Sequence, residues 1–283
     1  MSLGQQRESV AAKVRIRRSV FHGAIMLVEG QSDADFWTGY ARRGAIHCEP
    51  CSGRHTLIQE HATLHKTDRL TGVVSVMDAD WDHIDQTQHT LPDLFVTDTR
   101  DLESMLLRTA ALDKLLDNRA DATKLAALEA EEGAEFRELL LARAVEFGRL
   151  RLIHHRRHLP FEFRERFVRL NVDKERWRVN TDNLHQELVS QGLAPDVATL
   201  QADLAALPTN LDPWDLARGH DLMFLLNVAL DGRLKRERTK NIGEDVLLWE
   251  LCLALPDGAL HPTRLHQSLR AWEARQPQRS FLR

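Results

Sequence analysis

IMLVEGQSDADFW, Ile25 to Trp37, passes from a buried apolar run through a polar turn into a helical pattern, and the transition falls on a carboxylate, Glu29. The apolar run predicts a strand from Ala24 to Val28. Gly30 lets the backbone turn sharply after it, and Ser32 or Asp33 can cap the helix that follows, read as Asp33 to Arg43. With the helix starting near Ser32, Asp33 lies beside Glu29 at the lip of a sheet.

Working outward, short apolar runs alternate with helical patterns as far as residue 108, the βαβ rhythm of an open, mostly parallel sheet. Strands are predicted at Ala45 to Pro50, Val73 to Met77 and Leu94 to Thr97, with helices at His55 to Lys66 and Leu102 to Arg108. Beyond Arg108 the strand signals fade. The remaining apolar segments carry helical spacing, and Pro160, Pro195, Pro208, Pro213, Pro256 and Pro262 divide them. The expected organisation is an N-terminal extension (1–19), an α/β domain (20–108) and an α-helical region or cap (109–283).

Ligands of such sheets collect outside the carboxyl ends of the strands. VVSVMDADWDHID ends a second buried run in Asp78, and alternation along an extended chain would send Asp78 and Asp80 to the same side. Carboxylates that converge repel one another and need a cation or a proton. Oxygen-only donors suit Mg²⁺ or Mn²⁺, which also bind substrate phosphate. A third ending, LFVTDTRDLESMLL, brings Asp98, Asp101 and Glu103. Of these, Glu103 is the candidate for a second metal, while Asp98 or Asp101 is better suited to capping the helix.

The chain has 283 residues, 43% of them hydrophobic and 28% charged, with a formal charge of −4. That is the composition of an ordinary globular protein, and a polyanion site would have to come from local patches. Two exist: residues 151–169, with six Arg against two Glu, and 233–240, with five basic residues against one Glu. Arg156, Arg157, Lys235, Arg236, Arg238 and Lys240 are the candidates for holding a nucleic-acid backbone. The alternative for either patch is a solvated helix face.

Three cysteines cannot build a disulfide framework, and no signal peptide or membrane-length apolar run is seen, so a cytoplasmic protein is expected. HCEPCSGRH offers His47, Cys48, Cys51 and His55 for zinc but lacks the second ligand pair of structural sites. Cys48 and Cys51 read as small residues on or just after a buried strand. DADWDHIDQTQH fails as a calcium loop, with His83 in place of the turn glycine and His89 in place of the bidentate Glu. No phosphate-binding Gly-Lys-Ser/Thr loop appears, so ATP hydrolysis by this chain is not expected.

VEGQSD followed by SVMDADWD resembles the Toprim domain, in which a Glu after the first strand and an Asp-x-Asp after a later strand bind magnesium for phosphodiester chemistry. The Glu29/Asp33 spacing resembles the Toprim halves of OLD-family nucleases. With TDTRDLESMLL and RGHDLMFLL added, the chain resembles a bacterial Toprim-type domain family of unknown function that includes the nuclease effector of the PARIS anti-phage system. The likeness covers residues 20–108, and residues 109–283 more loosely. It implies a Rossmann-like α/β fold and a Mg²⁺-dependent nuclease of RNA, such as tRNA, or DNA. It further implies that Glu29, Asp33, Asp78, Asp80 and Glu103 are metal ligands or their close partners, with Lys240 near the scissile phosphate. A separate ABC-type ATPase partner and a homodimer are implied likewise. Two alternatives use the same residues: a catalytically silent nucleic-acid or metal-binding regulatory module, and a haloacid-dehalogenase-like phosphatase. The phosphatase would require Asp-x-Asp-Gly after its first strand, whereas here the motif follows a later strand and Trp81 replaces Gly.

Overall fold

In the computed structural model, residues 9–237, 240 and 242–283 are described. A helix, α1 (Val10–Val20), precedes β1 (Ala24–Val28), α2 (Gln31–Tyr40), β2 (Ile46–Pro50), α3 (Arg54–Ala62), β3 (Val73–Met77), α4 (Asp82–Asp85) and β4 (Leu94–Val96). Ten helices follow among the described residues: α5 (Leu102–Leu107), α6 (Ala111–Arg119), α7 (Ala122–Glu132), α8 (Phe136–Arg156), α9 (Glu165–Leu170), α10 (Thr181–Ser190), α11 (Val197–Ala205), α12 (Pro213–Leu216), α13 (Gly219–Asp231) and α14 (Glu244–Ala254). The chain ends with α15 (Arg264–Arg275). A two-stranded antiparallel pair, β5 (Val172–Asp173) and β6 (Arg178–Val179), lies between α9 and α10.

The sheet is four-stranded and all-parallel, in the order β2-β1-β3-β4. Every residue of β1 is fully buried. Ile25 and Leu27 pack with Val10 and Val14 of α1 and Leu57 of α3, and the intervening Ala24, Met26 and Val28 are covered as well. Burial on both faces is why parallel strands read as unbroken apolar runs.

The chain divides into two compact units. The first holds residues 1–82, 86–98 and 260–283, and the second holds 83–85 and 99–259. This division departs from the expected segments in four places, the first being residues 83–85, which fall in the second unit. The stretch taken as an extension, 1–19, supplies α1, whose Val10, Ala11 and Val14 enter the core of the first unit. Residues 99–108 belong to the second unit, and the last helix returns to the first. Asp98 fixes that return, because its carboxylate accepts from the Arg264 and Leu265 N–H groups at 2.7 and 2.8 Å and so caps α15. Leu265, Leu269 and Trp272 are then buried, and Glu273 takes the Phe281 and Leu282 N–H groups.

The second unit is helical, apart from β5 and β6, among the described residues. Its longest element, α8, buries Phe136, Leu140, Ala144 and Phe147. Gly148 lets α12 approach closely, since a Cβ there would collide with the Leu216 carbonyl. Among the described residues no helix is long and apolar enough to cross a membrane.

Trp272 is fully buried in the first unit, so Trp272→Ala is expected to cost about 3–5 kcal/mol and lower the urea midpoint. An unchanged midpoint would show that the C-terminal helix does not contribute to the sheet-bearing unit.

Candidate functional site

The carboxyl ends of β2, β1 and β3 lie side by side, and each ends in a polar turn. After β1, Gly30 precedes the first turn of α2. The helix starts at Gln31, earlier than the sequence suggests, because Asp33 reaches back from its third position and accepts from the Gly30 N–H at 2.9 Å. Asp33 is therefore a helix cap as well as a neighbour of Glu29. After β2, Gly53 adopts φ +110°, a left-handed conformation that glycine reaches without strain, and its N–H donates to the Glu29 carbonyl at 2.9 Å. That turn starts α3 with Arg54.

After β3 the chain leaves the extended conformation at once, and Asp80 has φ +48°. The expected alternation of Asp78 and Asp80 along an extended strand is therefore wrong. Asp80 is half-exposed, and its backbone is left-handed, which Asp tolerates better than most residues.

Glu29 and the β3 turn are nonetheless brought together. The Glu29 carboxylate accepts from the Asp78 N–H at 3.0 Å. Burial first, and then the charge of Asp80, push the Glu29 carboxyl up to about 7, with Asp33 adding to the rise. The Asp78 N–H and Arg54 oppose it. Such a rise marks a carboxylate whose ionised form is short of positive charge.

Arg54 supplies part of that charge. Its guanidinium donates to the Asp78 carbonyl at 2.7 Å and to the buried Asp82 carboxylate, and it stands 3.4 Å from Asp80. His89 Nε2 lies 2.7 Å from Asp82 and 3.1 Å from Arg54, so it can donate to the carboxylate or accept from the guanidinium, one at a time. Sequence reasoning missed Arg54, Asp82 and His89 as members of this cluster. The available signal was Gly53-Arg54, a turn glycine and a cation at the end of the strand neighbouring β1.

Glu103 belongs to the second unit, where it is buried in the first turn of α5. Asp101, and not Asp98, caps that helix, accepting from Ser104 N–H at 3.0 Å. Asp101 also accepts from Gly219 N–H at 2.6 Å, a contact that a side chain at 219 would block. The TDTRDLESMLL and RGHDLMFLL motifs therefore meet through backbone and cap. Asp221 is likewise an internal partner, because it is buried and paired with both arms of Arg151 at 3.0 and 3.1 Å.

The basic patches look different in three dimensions. Arg151 is buried, and Arg169 donates to Glu244. Arg157 pairs with Asp203 and the Leu193 carbonyl, Lys235 with Asp231, and Arg236 with the Asn118 carbonyl. Arg156, Arg157, Arg236 and Lys240 are exposed. Arg238 lies outside the described residues. His155 pairs with Asp85 at 2.8 Å and His154 with the Phe161 carbonyl.

Among the described residues, no three His, Cys, Asp or Glu side chains are gathered as a ready-made metal cage. Cys48 lies on β2 and Cys51 follows it, and burial pushes their thiols up to about 11 and about 12, respectively. No protein-family model matches the chain, and no curated protein is significantly similar to it.

Because the Glu29 pKa is raised on folding, its contribution to stability is full below the ordinary carboxylate range and is lost as pH rises through about 7. Glu29→Gln keeps an acceptor for Asp78 N–H without the charge. In chelator, the variant is expected to lose less melting temperature than wild type between pH 5 and pH 8, and to be more stable at pH 8 by about 1–2 kcal/mol after screening. Parallel pH profiles would refute the assignment. In the second unit, Asp221→Asn leaves Arg151 buried without its counter-charge. A loss of about 3–5 kcal/mol is expected in chemical denaturation, against little change for Arg156→Ala.

Proposed function

We propose that the first unit is a Toprim-like phosphodiesterase domain and that the chain is a Mg²⁺- or Mn²⁺-dependent nuclease acting on RNA such as tRNA, or on DNA. The single observation that carries this reading is the meeting of Glu29 with the Asp78–Asp82 turn at adjacent strand ends, locked by the 3.0 Å bond from Asp78 N–H to the Glu29 carboxylate. The donor set suits such an ion: the oxygens are hard, the charge around Glu29 is under-compensated, and Mg²⁺ commonly takes only one or two protein carboxylates beside water and substrate phosphates. Glu29 and Asp80 are the ligands favoured by this geometry, with Asp78 and Asp33 as close partners. The bound ion would supply a polarised phosphodiester and an activated water.

The protein's own contribution is positional. Asp78 N–H holds Glu29 in one orientation, and Arg54 keeps the β3 turn closed through the Asp78 carbonyl and Asp82. Arg156, Arg157, Arg236 and Lys240 are the exposed candidates for phosphate contact among the described residues, with Lys240 retaining the role near the scissile group that the Toprim resemblance implies. Glu103 as a second-metal ligand, a homodimer and an ABC-type ATPase partner holding the effector silent in an anti-phage pair rest on the same resemblance.

A second reading, a silent regulatory module on the same fold, is favoured by the lack of a three-ligand cage among the described residues. The two are separated by incubating purified protein with labelled tRNA, single-stranded DNA and plasmid, with Mg²⁺ or Mn²⁺ and with chelator. Metal-dependent cleavage is expected, with a loss of at least about 100-fold in Glu29→Ala at unchanged circular dichroism. Cleavage that survives chelation, or full activity in Glu29→Ala, would overturn the reading. Backbone contacts also require binding to weaken as salt is raised.

A further inference from the structure

The cation already present at this site occupies a defined place in the sheet. Arg54 is anchored to the end of β2 by the Gly53 turn, yet its guanidinium bonds to groups that follow β3. Since β1 lies between β2 and β3, the side chain spans the end of β1, where Glu29 stands. Its contacts differ in quality. The Asp78 carbonyl lies at 2.7 Å and Asp82 is buried, whereas Asp80 stands at 3.4 Å and is half-exposed. His89, with Nε2 at 2.7 Å from Asp82, completes the inner end of the network.

We propose that Arg54 is a tethered counter-ion that competes with a divalent cation for Asp80 and thereby sets the metal concentration at which the site fills. The inference rests on the metal-dependent reading of the same site and adds its regulation. Two positive charges cannot share Asp80 at close range without repulsion. Arg54 gives up the long contact to Asp80 and stays held by Asp82 and the Asp78 carbonyl, so it remains beside the metal and continues to weaken its binding. A purely structural clamp would act in the opposite sense, because removing it would loosen the β3 turn and weaken the site.

The test is Mn²⁺ titration by calorimetry on wild type, Arg54→Gln, Arg54→Lys and Glu29→Ala, with circular dichroism confirming the fold. Removal of one charge at roughly 5 Å is expected to tighten Mn²⁺ binding about tenfold in Arg54→Gln. Arg54→Lys keeps the charge and should stay within about threefold of wild type. Unchanged or weaker binding in a folded Arg54→Gln overturns the counter-ion role. If wild type binds Mn²⁺ and Glu29→Ala does not, unchanged or weaker binding in Arg54→Gln removes Arg54's role while leaving the metal reading intact. Equal binding, or none, in wild type, Glu29→Ala and Arg54→Gln overturns the metal reading and the inference with it. Should Arg54→Gln fail to fold, the Nη1–H resonance of Arg54 in wild type decides: displacement from Asp80 moves it on Mg²⁺ addition, and an unmoved signal refutes the idea.

Discussion

β1 is paired on both edges and buried on both faces, so it can present chemistry only where it ends. Its last apolar residue is Val28, and the next side chain is a carboxylate that the surrounding packing partly removes from water. Desolvating an ionised carboxylate is costly unless charge or hydrogen bonds compensate. The local architecture answers that demand from two directions, the Asp78 N–H from β3 and the Gly53 turn beside β2 that delivers Arg54, while Asp33, fixed by the helix cap, acts against it. These arrangements are intelligible as consequences of one acid placed at the mouth of the central strand.

Charge is handled differently in the second unit. There, arginine side chains are used as internal struts. Arg151 lies over Phe163 and grips Asp221, and Arg143 lies over Trp177 and donates to its carbonyl. A guanidinium suits this because it stacks on aromatic faces while its planar fork meets a carboxylate. The positive excess counted along residues 151–169 is therefore partly neutralised within the fold, and a polyanion would meet a smaller field than the sequence count suggests.

β1 and β3 were legible because two-sided burial leaves a continuous apolar signature, and both fall on the residues read from sequence alone. Glu29 and the Asp-x-Asp were legible because a carboxylate ending such a run is chemically out of place. Arg54 was hidden, since its partners lie 24 to 28 residues away and only the strand order makes them neighbours. Helix α1 was obscured by VAAKVRIRRSV, which places three core residues among four cations. The return of α15 depends on the cap from Asp98, 166 residues earlier, an interaction for which local periodicity holds no trace. The left-handed turn at Asp80 was likewise invisible, because Asp-Ala-Asp continues a strand pattern as readily as it breaks one.

Asp82 and Glu29 show why the cluster is more than a set of ion pairs. Asp82 is the more buried acid, yet Arg54 and His89 both reach it, so its charge has direct partners. Glu29 has one backbone N–H as its bonded partner and feels Arg54 only through space, while Asp80 and Asp33 act against it. A network that served solely to hold strand ends together would place its cation against the least compensated acid. Here the cation is bound one step away, and the uncompensated charge is left at the centre of the rim, between strand ends and next to a half-exposed partner carboxylate. That asymmetry in charge compensation is the observation on which the proposed metal-dependent reading of the rim rests.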